Sequence, residues 1–346
     1  MGSTTLQPTN ENMLKMLWTA KAKTNSRPTP PSISFAGQTV IITGGNTGLG
    51  LTCGEYMLKH QLTHLIIGSR SLERGEHAAA PLRKAFPKAS IDVWALDMIS
   101  YESIQAFVVK CNTLPRLDTA ILNAGMTQAQ WHINPSTGHE DIFQVNYLST
   151  ALLSILLLPL LKSKSPPNTP GRLLLIGSGT ALSAPFTNRN ADPLIPSFDD
   201  PKGWSAIAAG QRYSLSKLAG LMFLSKLADT VAAEDVIVNA VAPGMVHGTA
   251  LHRDSPAGVR LVIMPILHKL LARSLEEGAS TYVDAVTTKG KESHGSFLVD
   301  WEIAPFPSLM YTEEGKQTTD RLWHETVKEF EFAGARGILD SMGRRK

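Results

Sequence analysis

Seven short apolar runs, rich in β-branched residues and mostly separated by helical segments, constrain the fold of this chain more than any other feature. The runs lie at 38–43 (QTVIIT), 63–68 (THLIIG), 90–96 (SIDVWAL), 117–122 (LDTAIL), 172–177 (RLLLIG), 236–242 (VIVNAVA) and 296–301 (SFLVDW). Strands that alternate with helices pair in parallel, and strands that are apolar throughout are buried on both faces of their sheet. The sequence therefore predicts an α/β fold: a doubly wound, three-layer sandwich around a mostly parallel, seven-stranded sheet.

The 346 residues divide into one large domain with a short addition at each end. We expect residues 1–35 to form an N-terminal extension that ends in a proline-rich linker, residues 36–335 to form the domain, and residues 336–346 to form a C-terminal tail. Two segments, 183–206 and 246–272, follow the carboxyl ends of strands, where open α/β sheets bind their ligands. The first is expected to be a pocket wall or a tolerated surface insertion. The second is too apolar for a free loop, so we expect a lid, with core or subunit interface as the alternative.

Charge and composition favour a small-molecule partner. The net charge is only +3, and 33 basic residues are scattered among 30 acidic ones, so no basic stripe indicates nucleic-acid binding. The N-terminus lacks the apolar stretch of a signal peptide. The longest apolar run, 151–161, is too short to span a bilayer and contains Pro159, which predicts a buried helix. We therefore expect a cytoplasmic protein without membrane association.

Several classes of site are not supported by the residues. Cys53 and Cys111 lie in separate helix-like segments and are expected to be core thiols in a reducing compartment. Neither cysteine belongs to a C-x-x-C pair, and the histidines lack the H-E-x-x-H spacing, so no metal site is predicted. A serine hydrolase is disfavoured, because Ile176 stands where the G-x-S-x-G motif around Ser178 requires its first glycine.

The first apolar run leads directly into a glycine-rich turn, TGGNTGLG, in which Gly44, Gly48 and Gly50 open a helix. Backbone amides and a helix N-terminus can bind a pyrophosphate there without obstruction by side chains. A glycine turn alone is weak evidence for a dinucleotide cofactor.

A tyrosine and a lysine, Tyr213 and Lys217, stand four residues apart in the helix-like segment RYSLSKLAGLMFL. This spacing places the phenol and the ammonium on one helix face, where both can address the same small molecule. An ammonium beside a phenol stabilises the phenolate and so favours proton transfer. For an isolated pair, a core aromatic and a surface charge would be the ordinary interpretation.

The remaining motifs resemble those of the short-chain dehydrogenase/reductase family, from about Gln38 to the last strand of the sheet. The glycine turn has the spacing T-G-x-x-x-G-x-G, and further motifs follow in the family's order: Asn123-Ala124-Gly125 after the fourth strand, Asn146 in QVNYLST, Ser178 in LLLIGSGT, Tyr213 and Lys217 in YSLSK, and Pro243-Gly244 after the sixth strand. The resemblance implies a Rossmann-type fold and a nicotinamide cofactor.

The resemblance also implies roles for individual residues. The implied catalytic residues are Asn146, Ser178, Tyr213 and Lys217. In a reduction, Tyr213 would protonate the developing alkoxide, Ser178 would hydrogen-bond the same oxygen, and Asn146 would hold a relay water near Lys217. Lys217 would also bind the nicotinamide ribose, and Asp97 and Asn123 would position the adenosine half. The residues expected to contact the cofactor are Thr43, Gly44, Asn46, Thr47, Gly48, Leu49, Gly50, Ser69, Arg70, Asp97, Met98, Asn123, Ala124, Gly125, Tyr213, Lys217, Pro243, Gly244, Val246 and Thr249.

One departure from the family pattern lies in PGMVHGT, where Gly248 occupies the position that is commonly a threonine. Thr249 is displaced by one residue, which puts its usual cofactor contact in doubt. The neighbouring His247 is expected to be exposed rather than part of a pocket.

The residues after the second strand, in HLIIGSRSLERG, predict the cofactor's phosphorylation state. Enzymes of this architecture that prefer NAD place an acid there, which binds the ribose hydroxyls and repels a 2′-phosphate. Here Ser69 and Arg70 occupy the position, and an arginine matches phosphate geometry. We therefore expect NADP(H), with Arg70 on the 2′-phosphate and a hydroxyl contact from Ser69.

Residues 296–330, together with FDD at 198–200, resemble the retinol-dehydrogenase-like branch of the family, which has related reductases in fungal secondary metabolism. That branch implies a bulky apolar carbonyl or secondary alcohol, such as a polyketide, terpenoid or retinoid-like molecule. Two alternatives remain: a cofactor-dependent isomerase, epimerase or dehydratase, and a non-catalytic dinucleotide-binding partner protein. Family members often pair through the helices that carry Asn146 and Tyr213, so the resemblance allows a homodimer.

Overall fold

The seven apolar runs become strands of one sheet in the computed structural model, which describes residues 2–8, 32–249, 269 and 271–343. The strands are β1 (Thr39–Thr43), β2 (His64–Ser69), β3 (Ser90–Ala95), β4 (Thr119–Leu122), β5 (Gly171–Ile176), β6 (Val236–Ala242), β7 (Phe297–Val299) and β8 (Glu302–Ala304). The order across the sheet is β3-β2-β1-β4-β5-β6-β7-β8. Neighbours from β3 to β7 pair in parallel, and β8 alone is antiparallel.

The doubly wound sheet is confirmed, but it has eight strands where seven were expected. The additional strand, β8, is three residues long and partly exposed, so it carries no apolar run that would mark it in the sequence. It forms because Asp300 and Trp301 turn the chain back with positive φ values of 53° and 66°. The edge of the sheet is therefore set by a turn rather than by hydrophobic pattern.

Helices cover both faces of the sheet. They are α1 (Gly48–Lys59), α2 (Leu72–Ala85), α3 (Tyr101–Cys111), α4 (Asp141–Lys164), α5 (Ala206–Thr230), α6 (Leu275–Thr287), α7 (Glu313–Glu329) and α8 (Ala335–Met342). Helices α1, α2 and α6 pack on one face, and α3, α4, α5, α7 and α8 contribute to the core on the other. Cys53 and Cys111 are buried free thiols, one in each core, as expected.

Helix α4 contains the apolar run at 151–161. It is long and apolar enough to cross a membrane, and it is the one such helix in the described part of the chain, but 83% of its most apolar window is buried inside the fold. The prediction of a buried core helix is therefore correct for this run.

The C-terminal residues differ from the expected tail, because residues 335–342 form helix α8. Ala335, Leu339 and Met342 recur at the spacing of one helix face, and all three are buried. Residues 344–346 lie outside the described part of the chain. The spacing was visible in the sequence, so the expectation of a tail was wrong for most of this segment.

Helices α7 and α8 cover outer faces of α4 and α5, the helices through which the family resemblance allows a homodimer. The Tyr147 hydroxyl lies 2.6 Å from Thr326 Oγ1, and the rings of Phe223 and Trp323 are 5.7 Å apart. Phe330 is fully buried in the same core. The chain therefore fills this surface with its own residues.

We expect that two copies do not pair through α4 and α5, because α7 and α8 would have to be displaced first. If light scattering gives more than the mass of one chain, 37.5 kDa, the amides of α4 and α5 should exchange no more slowly in the larger species. A dimer whose formation protects the amides of α4 and α5 from hydrogen exchange and exposes α7 would contradict this expectation.

The N-terminal extension is not wholly separate from the domain. The Ser3 hydroxyl accepts a hydrogen bond from Phe297 N at 2.8 Å and donates to Ala304 O at 2.6 Å. The Tyr311 hydroxyl donates to Ser3 O at 2.7 Å. Residues near the N-terminus thus fasten β7 to β8. Residues 27–31 of the proline-rich linker lie outside the described part of the chain.

Candidate active site

The carboxyl edge of the sheet holds the glycine turn between β1 and α1. Gly44 and Gly48 have φ values of 62° and 53°, in the left-handed region that favours glycine. A Cβ on Gly50 would lie only 2.7 Å from Asn123 Nδ2. Thr47 stands at the N-cap position of α1, but its side chain accepts no hydrogen bond from the helix. The first backbone N–H groups of α1 can therefore donate to another acceptor, such as a bound anion. The turn is shaped to hold an anion.

Two side chains predicted to contact the cofactor also tie β1 to β4. Asn123 Nδ2 donates to Thr43 O at 2.9 Å, and Ala124 N donates to Thr43 Oγ1 at 2.9 Å. The Tyr282 hydroxyl donates to Asn123 Oδ1 at 3.2 Å. Thr43 and Asn123 therefore shape the crevice from within the protein. Tyr282 was missed because it looks like an ordinary core residue of α6.

Arg70 stands at the end of β2 with an exposed side chain and has no hydrogen bond or ion pair to the described part of the chain. Ser69 is different: it is buried, and its hydroxyl donates to Ser71 O at 2.8 Å. The Ser69 hydroxyl is thus hydrogen-bonded within the protein, and the expected contact to a 2′-phosphate would require its proton to rotate away from Ser71 O. Arg70 is the free cation at this position.

Asp97 and Met98 follow β3 at the same edge. Asp97 N donates to Ser103 Oγ at 2.9 Å, and Asp97 Oδ1 accepts from Ile99 N at 3.2 Å. Met98 is buried in the core. The Asp97 carboxylate is half-buried and orders the turn that leads into α3.

The structure brings Ser178, Tyr213 and Lys217 together. Ser178 precedes a 3₁₀ turn after β5, where it accepts a hydrogen bond from the Thr180 hydroxyl at 3.0 Å. Tyr213 and Lys217 lie on α5, and Lys217 Nζ is 5.7 Å from the centroid of the Tyr213 ring. The Lys217 ammonium donates to Ile176 O at 2.8 Å, which anchors α5 to the end of β5.

Asn146 lies in a π-helical stretch of α4, Gln144–Ser149, a local form that is frequent at functional sites. Its Oδ1 accepts from Met126 N at 2.8 Å, and its Nδ2 donates to Met126 O at 2.9 Å. A Cβ on Gly125 would lie 3.3 Å from Asn146 Oδ1 and 3.5 Å from Lys217 Nζ. Asn146 and Lys217 therefore approach the same glycine, on the segment that follows β4.

The pKa values of the tyrosine and the lysine are both shifted by burial. Burial raises the pKa of the Tyr213 phenol above its usual value, and a hydrogen bond with Ser178 works in the opposite direction. Burial lowers the pKa of Lys217 to about 8. The expectation that Lys217 lowers the pKa of Tyr213 does not hold here. The ammonium is directed to the Ile176 carbonyl, and the cost of burying the phenolate dominates.

Lys217 should make stability depend on pH. Its pKa is about 8 in the folded chain and near 10.5 when solvated, so the unfolded chain binds more protons between these values. Stability should therefore rise with pH across that window, by about 3 kcal/mol relative to a Lys217→Met variant. Urea unfolding of both proteins from pH 7 to pH 10 measures the difference. A constant difference between the two proteins would show that the Lys217 pKa is not lowered.

The turn after β6 completes the edge. Gly244 has a φ of 81°, and its Pro243 neighbour accepts a hydrogen bond at its carbonyl from Arg273. A Cβ on Gly48 would lie 3.9 Å from Thr249 Cα, so Thr249 reaches the glycine turn despite its displacement by one residue.

The side chains after this turn differ in exposure: Val246 is buried and His247 is exposed, as expected for the histidine. Residues 250–268 and 270, most of the expected lid, lie outside the described part of the chain.

The segment 183–206 is fastened to the domain. Leu194 N and Ile195 N donate to the two carboxylate oxygens of Glu325 on α7, at 2.8 and 2.7 Å. The Phe198 ring stacks on Phe143 with centroids 3.9 Å apart. A tolerated surface insertion would not be built into the core in this way, so the segment is a fixed part of the domain, and its role as a pocket wall stays a prediction.

Comparison with known proteins decides the family. A family model described as short chain dehydrogenase matches residues 38–189. The short chain dehydrogenase/reductase mfmJ of Annulohypoxylon moriforme is 53% identical over 314 residues, which cover 90% of each chain. The chain belongs to the short-chain dehydrogenase/reductase family. A further relative in this family, short chain dehydrogenase virL of Hypocrea virens, is 42% identical over 96% of this chain and 95% of its own.

Two solved structures share the fold. An NADP complex of RhlG from Pseudomonas aeruginosa matches with a TM-score of 0.58 and 23% identity, over 78% of this chain and 97% of its own. The NADPH-dependent 3-quinuclidinone reductase of Rhodotorula rubra matches with a TM-score of 0.57 and 21% identity, over 82% and 97%. These similarities confirm the Rossmann-type architecture, and the family assignment makes the chain an oxidoreductase.

Proposed function

We propose that the chain is an NADP(H)-dependent ketoreductase or alcohol dehydrogenase that acts on a bulky apolar carbonyl or secondary alcohol. The observation that carries the proposal is the convergence of Ser178, Tyr213 and Lys217 at the carboxyl edge of the sheet. A phenol, a hydroxyl and an ammonium that converge beside a dinucleotide crevice can hydrogen-bond one substrate oxygen atom and transfer a proton to or from it.

The described residues fit a nicotinamide dinucleotide. The uncapped start of α1 and the left-handed glycines of its turn can receive a pyrophosphate. Arg70 offers an exposed, unpaired guanidinium at the end of β2, where no carboxylate stands to repel a 2′-phosphate. The preference for NADP(H) over NAD(H) rests on this arginine.

The protein's own side chains supply the proton that a carbonyl oxygen gains on reduction. When bound, the nicotinamide supplies or accepts the hydride. Tyr213 has a raised pKa and is a neutral phenol at neutral pH, so it can donate its proton to the oxygen of a carbonyl substrate. Ser178, held by Thr180, can hydrogen-bond that oxygen. Lys217 is held by Ile176 O with its ammonium 5.7 Å from the centre of the Tyr213 ring, and by the family resemblance it would bind the nicotinamide ribose.

The apolar substrate class is supported by sequence. Residues 296–330 resemble the retinol-dehydrogenase-like branch, and the segment 246–272 after β6 is rich in valine, leucine and isoleucine. We place the reaction in secondary metabolism on the same resemblance, and in the cytoplasm because two buried free thiols, Cys53 and Cys111, favour a reducing compartment.

The experiment that tests the proposal is a screen of the purified protein against polycyclic and polyketide ketones, with NADPH and with NADH. Reduction of a ketone with stoichiometric consumption of NADPH is the expected result. A converted substrate without net consumption of NADPH would indicate an isomerase, epimerase or dehydratase. Cofactor binding with no product from any substrate would favour the non-catalytic partner protein.

A further inference from the structure

Arg273 carries a buried positive charge at the carboxyl edge of the sheet, with only 1% of its surface exposed. It forms an ion pair with Asp300, which is also buried, and its guanidinium carbon lies 4.7 Å from the centroid of the Trp301 ring. Asp300 and Trp301 form the left-handed turn between β7 and β8. The guanidinium is therefore held between a charge and a ring that belong to one rigid turn.

The same arginine holds the turn after β6 through three hydrogen bonds. Its Nη1 donates to Pro243 O at 3.2 Å, and its backbone N donates to Met245 O at 2.8 Å. His247 N in turn donates to Arg273 O at 3.1 Å. A Cβ on Gly244 would lie 2.9 Å from Arg273 Nη1, so the glycine lets the turn lie directly against the guanidinium.

The turn held by Arg273 lies beside the glycine turn. A Cβ on Gly278, in the first turn of α6, would lie 2.6 Å from Leu49 and 2.8 Å from Val246. Thr249 approaches Gly48, as described above. Residues 243–249 therefore form the side of the crevice that links the end of β6 to the start of α1.

We propose that Arg273, anchored by Asp300, is a positioning residue that holds residues 243–249 in the shape that binds the nicotinamide half of NADP(H). This inference rests on the proposed function. In some proteins a buried ion pair selects one arrangement of the groups around it, and we infer that role for Arg273 and Asp300. The planar fork of an arginine can bond the Asp300 carboxylate and the Pro243 carbonyl together, whereas a lysine ammonium cannot reproduce that geometry. In the proposed function, Arg70 and the glycine turn bind the adenosine half, and the hydrogen bonds of Arg273 described above go to neither of them.

The test compares two ligands. NADPH engages the whole crevice, and adenosine 2′,5′-bisphosphate engages only the adenosine half. For Arg273→Lys and for the double variant Arg273→Met/Asp300→Asn, which keeps a residue that tolerates the left-handed φ of position 300, we expect NADPH affinity to fall about tenfold or more, with adenosine 2′,5′-bisphosphate affinity within about twofold of wild type. The double variant leaves no unpaired buried carboxylate, so it keeps the test available if Arg273→Lys fails to fold.

A matched control is Arg172→Met, because Arg172 also donates to a backbone carbonyl, Lys289 O at 2.7 Å, but at the opposite edge of the sheet. It should leave both affinities unchanged. Equal weakening of the two ligands by the Arg273 variants, or unchanged NADPH affinity, would overturn the positioning role alone. A wild-type protein that binds neither NADPH nor NADH would overturn the proposed function and this inference with it.

Discussion

Replacing Tyr213 with phenylalanine should lower turnover by roughly two to four orders of magnitude while leaving NADPH binding unchanged. The substitution keeps the ring that packs on α5 and removes only the proton that the phenol supplies. The raised pKa of Tyr213 keeps that proton on the phenol at neutral pH, and phenylalanine has no proton to donate. Turnover at saturating NADPH and ketone, together with the dissociation constant of NADPH, measures both effects.

Tyr147→Phe is the matched control, because it removes a buried tyrosine hydroxyl that contacts Thr326 rather than the proposed site. It should lower stability by about 1 kcal/mol and leave turnover unchanged. Lys217→Ala should lower turnover and weaken NADPH binding as well, because the ammonium is also assigned to the ribose. A Tyr213→Phe protein with near-normal turnover would remove the proton-donor role.

Arg70→Ala should weaken NADPH binding roughly ten- to a hundredfold and barely change NADH binding. The exposed guanidinium at the end of β2 has no partner in the described part of the chain, so it is free to bond a 2′-phosphate. A neutral hydroxyl such as that of Ser69, which donates to Ser71 O, would compensate little for the loss of the arginine's charge. Parallel titrations of the two cofactors against wild type and variant measure the effect.

Arg83→Ala provides the comparison, since Arg83 lies on the neighbouring helix α2 and is paired with Glu76 and Ile91 O. Neither cofactor should respond to that change. The 2′-phosphate assignment fails if Arg70→Ala weakens both cofactors equally, or if the wild-type protein prefers NADH.

The fold was largely predictable, because its strands are buried on both faces and therefore read as continuous apolar runs. β8 was not predictable, since a three-residue edge strand depends on the turn at Asp300 and Trp301 and on its neighbour β7. The helix at 335–342 could have been predicted from the spacing of Ala335, Leu339 and Met342, which the expectation of a tail overlooked.

The candidate site was predictable where its residues stand in local motifs, such as the glycine turn and the pair Tyr213 and Lys217. Contacts between residues far apart in the sequence were not predictable. Arg273 joins the turn after β6 to the turn after β7, and Tyr282 bonds Asn123 on another strand. Neither residue belongs to a motif, because its role depends on where the fold brings its partners.

The direction of the Tyr213 pKa shift also could not be predicted from the sequence. Sequence spacing places an ammonium near the phenol, but it does not show that Lys217 is directed to Ile176 O or how deeply both groups are buried. Burial and the orientation of a charge arise from packing, so spacing alone could not give their balance.

The central claim, hydride transfer from NADPH to a carbonyl with Tyr213 as the proton donor, is tested most directly by isotope transfer. Wild-type protein is incubated with an accepted ketone and with NADPH deuterated at the transferable position of the nicotinamide ring, and the product is analysed by mass spectrometry. The account predicts deuterium on the carbinol carbon of the product, one atom per molecule, and almost no product from Tyr213→Phe. The account would be contradicted if the product carried no deuterium, whichever of the two faces of the nicotinamide ring carried the label.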